Sequence, residues 1–65
     1  MLPFEAAYKH GRGWVAVCGV KATDGLTAAR EVSRVHRRHR VKVRPDYSNL
    51  PWQRYHFKTI PGDRP

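Results

Sequence analysis

Two stretches near the start of the chain are rich in β-prone residues. They cover residues 5–10 and 14–21, and Gly11-Arg12-Gly13 separates them. A three-residue link with two glycines can take the positive φ angles that a tight reversal needs. This pattern predicts a β-hairpin.

The second strand of this hairpin is apolar on both sides. Strict alternation places Trp14, Ala16, Cys18 and Val20 on one side, and Val15 and Val17 on the other. Two apolar faces are typical of a central strand, so we expect Cys18 to be buried. We also expect Trp14 in the core, because a chain of 65 residues needs its large aromatic side chains there. Gly19 indicates a bulge or a close backbone approach.

Residues 27–39 have the periodicity of an amphipathic helix, with Thr27 as its N-cap. One side of the helical wheel carries Ala28, Ala29, Val32, Val35, His36 and His39, and the other carries Arg30, Arg34, Arg37 and Arg38. We therefore expect the helix to lie on a sheet by a small apolar stripe. Its outer face would then carry a row of arginines.

Residues 41–44 and 54–58 alternate apolar with basic side chains, as strands with one dry and one wet face do. If Val41, Val43, Tyr55 and Phe57 point inward, then Lys42, Arg44, Arg54, His56 and Lys58 share the opposite face. The intervening loop, 46–52, bears the large side chains of Tyr47, Leu50 and Trp52.

These elements predict an α+β fold of order β-β-α-β-β. We expect a mostly antiparallel sheet with one amphipathic helix packed on one face. Residues 1–60 would form a single basic domain, and residues 61–65 a frayed C-terminal tail.

The charge of the chain points to an anionic partner. Thirteen Lys and Arg stand against five Asp and Glu in 65 residues, a formal charge of +8, and such self-repulsion is costly without a counter-charge. The single cysteine excludes an internal disulfide. The start of the chain has no signal-peptide pattern, and no run reaches the roughly 20 apolar residues of a membrane span. We expect a cytoplasmic protein with no membrane association.

Two functions fit this pattern. The first is a nucleic-acid-binding module, for DNA or RNA, that acts through phosphate contacts with low sequence specificity. Its binding residues would be Arg30, Arg34, Arg37, Arg38, Lys42, Arg44, Arg54 and Lys58. The second is a small effector or accessory subunit, of the kind that phages use, which docks on an acidic protein surface with Tyr47 and Trp52 as apolar anchors.

Catalysis and metal binding have weaker support in the sequence. His36 and His39 could share a metal with Cys18 or His56, but no paired zinc signature is present. The histidines and arginines could also serve a metal-independent nuclease. No carboxylate pair, phosphate loop or nucleophile motif accompanies them. We expect no enzyme activity, no cofactor and no metal.

Overall fold

The computed structural model describes residues 1–46 and 48–62, and it confirms the predicted α+β fold. Tyr47 and part of the predicted tail, 63–65, lie outside the described residues. The elements follow the predicted order: β1 (Leu2–His10), β2 (Gly13–Ala22), α1 (Gly25–His36), β3 (Arg40–Pro45) and β4 (Gln53–His56).

The four strands form one antiparallel sheet in the order β2-β1-β3-β4. The inner strands are therefore β1 and β3. The prediction that β2 is central was wrong, because β2 forms an edge of the sheet. Its apolar residues on both sides result instead from a β-bulge in its pairing with β1.

A β-bulge interrupts β2 near Gly19. Phe4 pairs with Val20 but Ala6 pairs with Val17, so two steps along β1 match three along β2. Gly19 takes a φ of 73°, which glycine adopts without strain. The extra residue shifts the alternation, so that Val17 and Val20 both pack on the helix side.

This shift overturns two predictions about β2. Cys18 is exposed and not buried, since it lies within the bulge on an edge strand. Trp14 is only half-buried and is not part of the core. Its partner Lys9 follows Tyr8, which packs against the core, so Lys9 and Trp14 lie on the other side of the sheet.

The hairpin turn is one residue shorter than predicted. His10 pairs with Gly13, which leaves only Gly11 and Arg12 in the loop. Gly11 has a φ of 59°, as the first central residue of a type II′ turn requires.

Asp24 caps the helix, three residues before the predicted cap. Its side chain accepts a hydrogen bond of 2.8 Å from the backbone N–H of Thr27. That bond favours the ionised carboxylate and lowers the pKa of Asp24 below its ordinary value. Thr27 is thus the donor in the cap and lies inside the first turn.

The helix ends at His36, short of the predicted His39. Arg37 adopts the left-handed conformation, with a φ of 54°, and the Arg38 N–H donates to the Ser33 carbonyl at 3.1 Å. This is the ending that glycine usually provides. The fully buried Ser33 hydroxyl donates to the Arg38 carbonyl at 2.5 Å and holds the turn against the helix.

The core lies between the helix and one face of the sheet. Ala28, Ala29 and Val32 pack there with Phe4, Ala6, Ala22, Val41 and Val43, and Tyr55 and Phe57 lie at its margin. The predicted inward set of β3 and β4 is therefore confirmed. Val35, which was predicted to join the stripe, is 55% exposed. It follows Val32 by nearly a full turn but lies beyond the edge of the sheet-facing stripe.

The chain after β4 returns to the helix. A Cβ placed on Gly62 would lie 3.2 Å from Cδ of Arg34, so this part of the predicted tail runs beside α1. Within the described residues, no helix has the length and apolar character needed to cross a membrane.

Candidate nucleic-acid interface

One face of the sheet carries no helix. Val41 and Val43 are fully buried on the helix side, so Lys42 and Arg44, the alternate residues of β3, point the other way. We call this second side of the sheet the open face. The alternation of apolar and basic residues in β3 thus separates the core from a charged surface.

The neighbouring strands add further basic and aromatic groups to the open face. Arg54 pairs with Lys42 across β3 and β4, and Trp14 on β2 pairs with Lys9 on β1. Like charges opposite each other on a sheet are destabilising by up to about 1 kcal/mol per pair. The Lys42–Arg54 pair therefore carries a cost that an anion would remove.

Lys42 lies between the two tryptophans of the chain. Its Nζ is 4.6 Å from the ring centroid of Trp14 and 4.6 Å from that of Trp52. The guanidinium of Arg44 lies 4.4 Å from the Trp52 centroid. All three distances suit cation–π contacts. We call Trp14, Lys42, Arg44, Trp52 and Arg54 the tryptophan patch.

A small residue makes this arrangement possible. Ala7 on β1 pairs with Lys42 on one side and with Ala16 on the other, so Lys42 must cross β1 to reach Trp14. A larger side chain at either alanine would stand in its path. Ala7 is only 5% exposed although it points away from the helix, because the patch covers it.

Glu5 is the only acidic residue in the four strands. It pairs with Arg44 directly across β1 and β3, and the two side chains form an ion pair. This contact fixes the Arg44 guanidinium beside Trp52. Lys42 and Arg54 have no such counter-ion among the described residues.

Six basic residues surround a pocket at one end of the sheet. The pocket measures about 350 Å³ and is lined by Lys9, Arg37, Arg38, His39, Arg40 and His56. It lies where β1 ends, β3 begins and β4 ends. We call these six residues the basic pocket.

The structure divides the predicted row of helix arginines. Arg30 and Arg34 are exposed on α1, on the side of the molecule opposite the open face. Arg34 pairs with Glu31, and this hydrogen bond and charge raise the pKa of Arg34. Arg37 and Arg38 follow the end of the helix and line the basic pocket instead.

The remaining predicted residues lie at different distances from the open face. Arg54, Lys42 and Arg44 belong to it, whereas Lys58 is exposed beyond the end of β4. Trp52, predicted as a partner anchor, lies on the patch against Lys42 and Arg44. Its predicted companion Tyr47 lies outside the described residues.

Sequence reasoning assigned neither Trp14 nor Lys9 to a binding surface. It placed His56 on the basic face of the sheet and Arg40 just beyond the row of helix arginines, but it counted neither among the binding residues. The signal for Trp14 was Gly19, because a bulge at that glycine moves Trp14 out of phase with Val20. The alternation of β3, extended back by one residue, places Arg40 on the same face as Lys42, and Arg40 pairs there with His56. Nothing in the sequence indicates that Lys9 joins them.

The histidines and Cys18 do not form a metal site in the described part of the chain, where no three His, Cys, Asp or Glu side chains come together. The His36 ring instead stacks on Tyr8, with 4.8 Å between centroids. No protein-family model, curated protein or solved structure matches this chain.

Proposed function

We propose that the protein binds single-stranded nucleic acid on its open face. Phosphates would contact Lys42, Arg44 and Arg54, and bases would stack on Trp14 and Trp52. The observation that supports this proposal is the position of both tryptophans, which flank a lysine on a face that is otherwise basic. Sequence preference would be weak, because every base has a π-face that can stack.

A single strand suits this surface better than a duplex. Reading a duplex groove requires a helix or a β-ribbon that projects into it, whereas the patch lies on the face of a four-stranded sheet. Aromatic side chains can stack only on bases that are not already stacked within a helix. Unpaired DNA or RNA meets that requirement.

In the complex, base stacking and phosphate contacts would replace the weaker cation–π contacts of the free protein. An exposed cation–π contact contributes about 0.5–1 kcal/mol, and stacking a base on an aromatic ring contributes about 1–3 kcal/mol. When a base replaces the Lys42 ammonium over a ring, the ammonium becomes available to a phosphate. Both changes favour the complex.

Tryptophan fluorescence tests the proposal directly, because both tryptophans of the chain lie on the patch. Single strands of DNA and of RNA, about 12 nucleotides long and with hydroxyl ends, should quench the emission. With three phosphate contacts, log K should fall against log salt with a slope of about −2. Trp52→Ala should weaken binding about tenfold, as measured by the anisotropy of a labelled strand.

The matched control is the double variant of Arg30 and Arg34 to alanine, which removes two arginines from the helix side. It should change affinity much less than the double variant of Lys42 and Arg54 to alanine. Equal effects of the two double variants would overturn the proposal of a binding face. Absence of quenching at about 50 mM salt, where nonspecific binding is strong, would leave an acidic protein surface as the better partner.

A further inference from the structure

The basic pocket contains more positive charge than one phosphodiester needs. Four of its residues carry a full positive charge: Lys9, Arg37, Arg38 and Arg40. Two histidines, His39 and His56, complete the lining. No acidic residue of the described chain lines it. A ligand with two negative charges and several acceptor oxygens would match this lining better than a singly charged one.

Three of the four acidic residues that the structure describes are engaged elsewhere. Glu5 pairs with Arg44, Glu31 pairs with Arg34, and Asp24 caps the helix. Arg40 and His56 have no side-chain hydrogen bond or ion pair among the described residues. Their donors are therefore available to a ligand without loss of an existing contact.

His39 is held in one orientation by two contacts with Phe57. Its carbonyl accepts a hydrogen bond of 2.8 Å from the Phe57 N–H, and its Nδ1 lies 2.7 Å from the Phe57 carbonyl. A carbonyl oxygen can only accept, so Nδ1 carries the proton. Nε2 is then the ring nitrogen left to meet a ligand.

Arg38 is also held by contacts with two residues on the helix side of the sheet, His10 and Tyr8. Its Nη2 donates to His10 Nδ1 at 3.0 Å, and its guanidinium lies 5.5 Å from the Tyr8 ring centroid. Tyr8 in turn stacks on His36. A guanidinium has five N–H donors, so these contacts orient Arg38 and still leave donors for an anion.

The turn that brings Arg37 to the pocket is a costly one. A non-glycine residue in the left-handed region costs roughly 1–2 kcal/mol, and glycine would avoid this cost. An arginine at this position provides a charge beside the pocket at the expense of stability. Backbone strain of this kind is concentrated at functional sites.

We infer that the basic pocket binds a phosphate monoester. Such a group carries close to two negative charges at neutral pH and three terminal oxygens, and arginine forks bind it in pairs of hydrogen bonds. Arg40 precedes Lys42 by two residues on the same strand face, about 7 Å away. This identification rests on the proposed function. The monoester is the terminal phosphate of a nucleic-acid strand that lies across the tryptophan patch.

Oligonucleotides that differ only at their ends test the inference. Strands with a 5′-phosphate, a 3′-phosphate or hydroxyl ends are compared by competition against one labelled hydroxyl-ended strand. One of the two phosphorylated forms should bind about tenfold more tightly than the hydroxyl form. Arg40→Ala should remove that difference, and Arg30→Ala, the same change on the helix side, should keep it.

Inorganic phosphate and pyrophosphate serve as probes that need no oligonucleotide. Either anion should shift the side-chain NMR signals of His39 and His56, and Arg38→Ala should reduce these shifts. Such shifts without binding of any strand would support a phosphate site and overturn the proposed function. Equal binding of all three strand forms, without shifts from either anion, would overturn the phosphate site and leave the proposed function standing.

Discussion

Ala28, Ala29 and Val32 cover one face of the sheet, whereas Trp14 and Trp52 lie on the other. Small side chains let the helix approach the sheet closely, and the molecule is only 17 Å across its shortest axis. Full burial of a large apolar side chain contributes about 1.5–3 kcal/mol. By leaving both tryptophans on the open face, the protein gives up part of this stability. The stacking that we propose for these two rings would account for this loss.

The two faces also differ in how their charges are balanced. On the helix side, Arg34 has Glu31 as its partner. On the open face, Glu5 balances Arg44, but Lys42 and Arg54 oppose each other across two strands without an acidic partner among the described residues. An anion would relieve this repulsion. We therefore expect substitutions in the core on the helix side to affect folding, and substitutions on the open face to affect the proposed binding.

The largest expected difference lies between two valines of the same helix. Val32 is 2% exposed, and an unpaired carboxylate buried there costs at least about 3–5 kcal/mol. A chain of this length has only about 3–10 kcal/mol of stability in total. Val32→Asp should therefore unfold the protein in circular dichroism, and Val35→Asp should remain folded. An unfolded Val35→Asp variant would contradict the exposed position of Val35.

One aromatic residue from each face, Phe4 and Trp52, should distinguish effects on stability from effects on binding. Phe4→Ala should lower the free energy of unfolding by about 3–5 kcal/mol in urea titrations, because Phe4 lies in the core. Trp52→Ala should lower the free energy of unfolding by less than about 1 kcal/mol, and under the proposed function it should weaken binding of a single strand. Similar losses of stability for both would mean that the open face contributes to the core.

The carboxylate of Asp24, which caps the helix, should make the stability of the protein depend on pH. The pKa of Asp24 is lower in the folded state, so its contribution is present above the ordinary pKa and is lost as the pH falls through the folded pKa. Asp24→Ala should lower Tm by several degrees at pH 7, and the difference should vanish in strong acid. Asp24→Asn, which caps without titrating, should retain its advantage over alanine at low pH.

A substitution at the C-terminal end of the helix should increase the stability of the protein. Arg37→Gly should raise the free energy of unfolding by about 0.5–1 kcal/mol, because glycine accepts a φ of 54° without strain. Arg37→Ala is the control, since alanine keeps the strain and should show no such gain. Thermal denaturation of the three proteins distinguishes strain from loss of the arginine charge.

The smallest expected difference concerns Cys18. Because this cysteine is exposed on the edge strand, a thiol reagent should label the native protein within about twofold of the rate in urea. Phe4→Ala is a useful comparison, since a destabilised core should not accelerate labelling of an accessible thiol. Slow native labelling that accelerates in urea would mean that the edge is covered.

The sequence was a reliable guide where one periodicity runs without interruption. The alternation of Val41 and Val43 with Lys42 and Arg44 correctly separates a buried from an exposed face, because β3 has no bulge. The same rule failed for β2, where the extra residue at the bulge reverses the faces on either side of Cys18. The position of Trp14 followed from that single irregularity.

The basic pocket could not be predicted from local pattern. Its residues come from the ends of three strands and from the turn after the helix. The helical wheel placed Arg37 and Arg38 in a row with Arg34, since it assumed that the helix continues to His39. The left-handed residue that ends the helix is an arginine. Because arginine is a common residue within helices, the sequence does not indicate that the helix ends there.

The bulge in β2 also bears on the aggregation of this protein. A ten-residue edge strand presents a row of unpaired backbone groups, and such rows promote aggregation when they are flat and apolar. The extra residue at Cys18 and Gly19 bends this edge and breaks its ladder into two short segments. The irregularity that moves Trp14 onto the open face thereby also opposes edge-to-edge assembly into fibrils.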